Sequence, residues 1–353
     1  MPAQAHPADR AGRTSRSMHQ SKAWRRAGAV ACLWAATTIC AAAQGTEPDA
    51  VEVNAAVTLA RIQAAATKSD YAGVYIYQQG GSMQSSRLVH VVDGTGERER
   101  LEVLDGIPRE YLRHNDTVRT LIPEKKAIIV EPGRSDRFPG LLLGEPDRLN
   151  AHYRVRRLMQ KTRIAGYECD VLEVRPKDDF RYGYNLCIEP GSGLLLKEQT
   201  VAGDGEIVDQ LSFSTLVLGK QVDASQLAPS WNIEGWKVFS KPTEPTDVAK
   251  AGWRLAPPPG FALVTQVERP MRTGRPVVRQ LVYSDGLAAV SVFIETVNPK
   301  VEHGVPLGAI RNGSMSFYRA RIGDHWVTAL GEVPIGTLRL LVDRIEYVPK
   351  AVE

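Results

Sequence analysis

The chain has 353 residues, too long for one ordinary core and about right for two domains with additions. Its formal net charge of +4 is concentrated at one end: of 44 basic and 40 acidic residues, six and one lie within residues 1–43, leaving 38 and 39 and a net charge of −1. The remaining chain therefore carries no global basic field of the kind that marks a nucleic-acid binder, while 22 Pro and 30 Gly point to many turns.

In the leader, Arg10, Arg13, Arg16, Lys22, Arg25 and Arg26 precede an apolar run from Ala27 to Ala43 that closes on Ala41-Ala42-Ala43. Basic, apolar and small-residue segments in that order read as a secretory signal peptide over 1–43, cut after Ala43. An uncleaved anchor is the alternative, disfavoured because the run is short for a span. Met18 is a second candidate start, so the true first residue stays open. Cleavage would remove Cys32 and Cys40 and leave Cys169 and Cys187, an even count that suits one disulfide in an oxidising compartment.

Val51–Lys68 is rich in Ala, with Val53, Val57, Ala60 and Ala64 at helical spacing, and reads as one amphipathic helix. Strand signals follow at Tyr71–Gln79, Ser85–Val92, Arg98–Leu104, Arg109–Arg113, Thr117–Ile122 and Ala127–Val130. Gly80-Gly81, Asp93-Gly94, Asp105-Gly106 and Asn115-Asp116 separate them, and such dipeptides suit tight hairpins. This is an antiparallel meander, not a βαβ sheet. Arg134–His152, with Phe138 and Leu141-Leu142-Leu143, reads as a short helix or an apolar loop.

Strands resume at Tyr153 and run through Arg163–Gly166, Leu194–Val201 and Glu206–Phe213. Between them, Tyr167–Arg175 and Phe180–Ile188 read as a hairpin turning at Asp178, with Cys169 and Cys187 each nine residues away and so directly opposite. A pair of that kind sits about 4.5 Å apart at Cα, within disulfide range; two separate buried thiols are the alternative. The first domain is expected over 46–218, a connector with Trp231 and Trp236 over 219–252, and a second domain over 253–353. In the second domain, strands are expected at Ala262–Arg269, Val277–Ser284, Ala288–Val297, Ser314–Ile322 and His325–Gly331, then a helix over Pro334–Tyr347.

The chain carries no G-x-S-x-G, HExxH, Walker loop or G-x-G-x-x-G. His90, His114, His152, His303 and His325 show no metal-ligand spacing, so no cofactor or metal is expected. The chain reads as a binding protein rather than an enzyme, although a triad assembled only in space would escape this search. Tyr75 and Tyr77 share one strand face, Val74 and Ile76 the other. A strand apolar on both faces is either sandwiched between layers or lines a cavity.

Tyr71-Ala72-Gly73-Val74-Tyr75, Leu104-Asp105-Gly106-Ile107-Pro108-Arg109-Glu110, Arg163-Ile164-Ala165-Gly166 and, most specifically, Arg181-Tyr182-Gly183-Tyr184 resemble the MucB/RseB family of periplasmic regulators. Trp253-Arg254-Leu255, Pro259-Gly260-Phe261 and Tyr283-Ser284-Asp285-Gly286-Leu287 extend the resemblance through the second domain. Cys187 departs from it, standing near where the family often has a tryptophan. The resemblance implies an α+β protein: a large, curved, partly open antiparallel β-sheet like that of lipoprotein carriers, with helices on its concave side, and a smaller C-terminal α+β domain. It implies a periplasmic negative regulator of the sigma-E envelope-stress response. Such a protein holds the periplasmic part of a membrane anti-sigma factor, shields it from proteolysis and lets go on lipid-type signals such as lipopolysaccharide. A periplasmic lipid or lipoprotein carrier is the alternative, and monomer or homo-oligomer is left open.

Candidate pocket residues are Tyr75, Tyr77, Leu141, Leu142 and Leu143. Arg109, Glu110, Arg181, Tyr182 and Tyr184 stand out as family motif, with fold or function as their role. Tyr283, Phe317, Tyr318 and Trp326 are candidate partner contacts, because aromatics favour interfaces.

Overall fold

The computed structural model describes residues 49–132, 138–139, 148–240, 243–269, 277–297 and 307–348. The leader and Leu141, Leu142 and Leu143 lie outside the described residues.

The first part of the chain runs β1 (Ala50–Val53), α1 (Ala55–Lys68), β2 (Tyr71–Gln79), β3 (Ser82–Asp93), β4 (Gly96–Val103), β5 (Arg109–His114), β6 (Thr117–Ile122) and β7 (Ala127–Pro132). It continues with α2 (Leu149–His152), β8 (Tyr153–Ile164), β9 (Tyr167–Pro176), β10 (Gly183–Ile188), β11 (Leu195–Val201), β12 (Ile207–Leu218) and β13 (Lys237–Ser240). The strands form one open 13-stranded sheet in the order β1-β8-β9-β10-β11-β12-β2-β3-β4-β5-β6-β7-β13. Two meanders, β2 to β7 and β8 to β12, are thus joined in the middle by antiparallel pairing of β12 with β2. The last strand, drawn from the segment read as connector, pairs parallel to β7.

The expected helix starts four residues late. The β-branched Val51 and Val53 pair with β8 instead, and the Asn54 side chain accepts from Val57 N to cap the helix that follows. Leu59 and Ile62 on α1 are fully buried against Leu172, Val174, Leu186 and Leu195 of the sheet, each contributing about 1.5–3 kcal/mol. The helix therefore covers one face of the sheet over its β8–β11 half and leaves the β2–β4 half of that face open.

Cys169 and Cys187 are bonded, with Cα atoms 5.5 Å apart, but they are not directly opposite. Cys187 faces Val171 across the pair, so the cysteines are diagonal neighbours on one face. The turn is wider than expected: β10 begins at Gly183 rather than Phe180, because Asp178 accepts from Phe180 N and Arg181 Nε and holds those residues out of the ladder. Both cysteines are buried beside Leu194, Leu196 and Phe213. Replacing both with Ala should lower stability by about 3 kcal/mol from lost loop restraint, read as a shift in the urea midpoint against an unreduced control.

The second part comprises β14 (Glu244–Pro245), β15 (Trp253–Arg254), β16 (Ala262–Arg269), β17 (Val278–Ser284), β18 (Ala289–Thr296), β19 (Gly308–Asn312), β20 (Met315–Ile322), β21 (His325–Gly331), α3 (Ile335–Val342) and β22 (Glu346–Tyr347). Seven of these strands make an antiparallel sheet in the order β14-β16-β17-β18-β21-β20-β19. One face packs on α3, where Leu338, Leu341 and Val342 meet Val290, Val292, Ile294, Val327 and Ala329. The last helix is shorter than its apolar spacing implied. After Val342 the chain turns to bury Ile345, and Tyr347 pairs with Trp253 in a two-stranded ribbon, their rings 4.5 Å apart.

Candidate functional site

On the open half of the α1 face lies a cavity of about 350 Å³. Its walls are Tyr75 and Tyr77 of β2, Ser86 and Leu88 of β3, Leu101 of β4, Tyr184 of β10, Glu198 and Thr200 of β11 and Asp209 of β12. Phe138 closes one side, its ring 5.4 Å from Tyr75 and 5.2 Å from Phe213. Leu287 and Glu332, from turns of the second sheet, reach the rim, so the cavity opens beside the junction of the two sheets.

Its chemistry is divided. Aromatic and aliphatic side chains line one part, while Glu198, Asp209 and Glu332 bring carboxylates to the other. Loss of water around Glu198, helped by the charges of Glu332 and Asp209, raises its carboxyl from the usual 4.5 to about 8. Asp209 is buried and its Oδ2 accepts from Ser314 N at 3.1 Å, from Ser314 Oγ and from Tyr77 OH at 3.3 Å. Burial, then the Asp209 charge, pushes the Tyr77 phenol well above its ordinary range.

Glu198 carries its proton in the folded state at neutral pH and releases it in the unfolded state. Folding therefore loses stability as pH climbs from about 4.5 towards 8. Glu198→Gln, which imitates the neutral acid, should flatten the profile and add at least about 1 kcal/mol above pH 8. Urea denaturation from pH 5.5 to 9 reads this, and parallel profiles for the two proteins would contradict it.

Two clamps fasten the sheets beside the cavity. In the first, Asp209 grips the β19–β20 turn, where Gly313 takes a positive φ of 58° and any Cβ would overlap Asp209 Oδ1. The second is a buried ion pair. Arg181 NH1 lies 2.9 Å from Asp285 Oδ2, both side chains are fully buried, and Tyr153 OH donates to the same oxygen at 2.8 Å. Arg181 NH2 also donates to Pro259 O at 2.7 Å, and its guanidinium sits 5.2 Å from the Phe261 ring centre. Gly260, at φ 81°, leaves room there for His152 and Arg181.

The residues singled out in the sequence separate into distinct places. Tyr75, Tyr77 and Tyr184 meet in the cavity. Tyr182 is buried and Arg181 belongs to the ion-pair clamp. Arg109 pairs with Glu124 at 2.6 Å on the surface, and Glu110 is fully buried against Arg100. Tyr283 lies in the core of the second sheet, where burial pushes its phenol up to about 12. Tyr318 packs against the same core and donates towards Asp343. Phe317 and Trp326 share the opposite face, half-buried, with the Arg319 guanidinium 4.6 Å from the Trp326 ring.

Glu198, Asp209, Glu332 and Ser314 were not anticipated as site residues. The signal available for the first two was a run of polar residues, Glu198-Gln199-Thr200 paired with Asp209-Gln210, in the middle of two adjacent strands.

Family models described as MucB/RseB N-terminal domain and MucB/RseB C-terminal domain match residues 54–231 and 247–346. The sigma factor AlgU regulatory protein MucB of Pseudomonas aeruginosa is 29% identical over 79% of this chain and 86% of its own. The sigma-E factor regulatory protein RseB of Haemophilus influenzae is 25% identical over 84% of this chain and 93% of its own. Among solved structures, MucB in complex with MucA(peri) superposes with a TM-score of 0.63 at 28% identity, covering 85% of this chain and all of that one. A second structure, the Pseudomonas aeruginosa MucA/MucB complex, gives 0.64 at 27% identity, with the same coverage.

Proposed function

The chain belongs to the MucB/RseB family, and from that premise we propose that it is a negative regulator of an envelope-stress sigma factor, acting by binding the periplasmic part of a membrane anti-sigma factor. The observation that carries this reading is the match through both sheets to MucB solved with MucA(peri) bound. A carrier would need only the large sheet, whereas here the second sheet is clamped to it by Arg181–Asp285 and Asp209–Ser314.

The finer reading is that the mature chain works in the periplasm after loss of residues 1–43. There it covers its partner against proteolysis and releases it when an amphiphile enters the cavity. A ligand that binds the free regulator better than the complex must weaken the complex, and this linkage is the physical content of such a switch. Ala50–Ser240 and Glu244–Tyr347 are its two working parts. Phe317 and Trp326, on the face of the second sheet away from α3, are its candidate partner contacts, and Tyr75, Tyr77 and Tyr184 its candidate ligand contacts. Its work is binding, not catalysis.

The test is a pull-down of residues 44–353 on the immobilised periplasmic segment of the anti-sigma factor from the same organism, with and without added lipopolysaccharide. Retention that lipopolysaccharide reduces supports the whole reading. Retention that it leaves unchanged keeps the regulator and removes lipopolysaccharide as its signal. Failure to be retained, with lipid carried through purification, favours the carrier.

A further inference from the structure

We propose that β13 is a docking strand: an extended segment of a partner protein, carrying acidic side chains, adds to the large sheet along the outer edge of β13. This names a contact for the regulator's anti-sigma partner and rests on that reading.

The large sheet ends at β13, which pairs on one side with β7 and on the other with no described strand. Lys237 N donates to Lys126 O at 2.9 Å. Alternate residues of a parallel strand bond the same neighbour, so Lys237 and Phe239 face β7, while Val238 and Ser240 turn their N–H and C=O groups outward. Edges of this kind are usually blunted by proline, a bulge or an inward-pointing charge. Here Val238 is 62% and Phe239 52% exposed, one on each face of the sheet. Trp236, just before the strand, stacks half-buried on Trp231 at 6.3 Å. Open backbone beside exposed apolar and aromatic side chains is what an added strand uses: main-chain bonds give affinity and the side chains give anchors.

The surroundings choose the partner's charge. Arg119 on β6, Lys125 and Lys126 in the turn into β7, and Lys237 on β13 itself are exposed and form no ion pair among the described residues. Glu124, in the same turn, is already held by Arg109 at 2.6 Å. Glu131 and Glu234 are the other acids nearby, so basic side chains are in excess along this edge. An acidic segment is drawn to such an edge and a basic one is turned away, an effect that salt screens.

The same features set aside two other occupants. A second copy would bring the same basic side chains to its own edge, and like charges across a strand pair are destabilising. An anionic lipid surface would suit the lysines and the aromatic rings. Hydrocarbon, however, would leave the outward groups of Val238 and Ser240 without hydrogen-bond partners, which is costly. A polypeptide strand satisfies charge and backbone together.

The experiment combines amide hydrogen exchange, read residue by residue, with the affinity of residues 44–353 for the periplasmic segment of the anti-sigma factor from the same organism. On binding, the amides of Val238 and Ser240 should become protected, while those of Lys237 and Phe239, already turned to β7, change little. Val238→Pro removes one outward donor where an edge strand tolerates proline, and should weaken binding by roughly tenfold. Lys126→Glu with Lys237→Glu changes only exposed side chains and should weaken binding as well, and the affinity of the unaltered protein should fall as salt rises. Binding without protection at Val238 and Ser240, or with an affinity indifferent to Val238→Pro or to the charge reversal, overturns the docking strand and leaves the regulator standing. No binding by the unaltered protein sinks the regulator, and the docking strand with it. Protection of the same two amides by phosphatidylglycerol vesicles, or by raised protein concentration alone, gives the edge to a membrane or to a second copy and overturns the proposal.

Discussion

Asp285→Ala should cost about 3–5 kcal/mol of stability and loosen the attachment of the second sheet to the first. Arg181 and Asp285 are both fully buried at 2.9 Å, so removing the carboxylate leaves a buried guanidinium whose only remaining counter-charge among the described residues is the part-exposed Asp178, 2.9 Å from its Nε. Tyr153 OH would lose its acceptor at the same time. On its other oxygen, Asp285 Oδ1 accepts from Leu287 N at 2.9 Å and Ala288 N at 2.8 Å, so the substitution also frees the turn that puts Leu287 at the cavity rim. The effect should therefore be larger than for a surface pair such as Arg87–Glu102, where loss is expected to stay within about 1 kcal/mol. Denaturation monitored at the tryptophans reads the stability. A single shifted transition would mean that the sheets still unfold together, and two transitions would mean that the Asp209–Ser314 clamp does not couple them without this one. An apolar pair, Arg181→Met with Asp285→Leu, should recover much of the loss, because a buried ion pair is costly to break but not necessarily to replace. A loss under about 1 kcal/mol for Asp285→Ala would show that the pair is solvated in practice.

That pair also shows where sequence reading stops. Arg181-Tyr182-Gly183-Tyr184 stood out as a motif, yet the four residues divide between two tasks. Arg181 reaches a partner 104 positions away, while Tyr184 faces the cavity. Nothing in the local pattern distinguishes them, since a motif records neighbours along the chain and a clamp joins positions distant in it. The meander was legible for the opposite reason. Its pairings are local, and residues such as Asn115, with φ 50°, mark its hairpins. What the turns could not supply was register. A connection of six residues rather than four moved Cys187 from opposite Cys169 to opposite Val171. The parallel partner of β7 was equally hidden: Val238 and Phe239, half or more exposed, form a strand too short to show a period. Glu198 and Asp209 belong to no motif and lie inside two strands, and only the neighbouring strands and the second sheet enclose them.

Glu110→Ala should be the other severe substitution, at about 3–5 kcal/mol, acting on the face of the sheet away from the cavity. Glu110 is fully buried on β5 and meets Arg100 NH2 at 2.6 Å, while Ser230 N donates to both of its oxygens at 3.2 Å. Arg100 in turn donates to Gln226 O at 3.2 Å and to Ser230 Oγ at 2.5 Å. The pair thus fastens the segment around 226–230 over β3 and β4, where Leu227 packs with Ala72, Val89 and Val91. Without the carboxylate, Arg100 is a buried cation whose nearest remaining anion is Glu102 at 3.1 Å, and the amide of Ser230 loses its acceptor. Glu110→Gln keeps the acceptor oxygen for Ser230 and should cost less than the alanine change. Hydrogen exchange would separate this loss from that at Asp285. Protection should fall first in residues 224–240, including β13 and the stacked Trp231 and Trp236, while the Arg181–Asp285 seam keeps its own. If protection in 224–240 is unchanged in Glu110→Ala, the connector is held by Leu227 and the β7–β13 pairing alone. The ion pair would then be a feature of the sheet rather than the anchor of the segment that leads to the second domain.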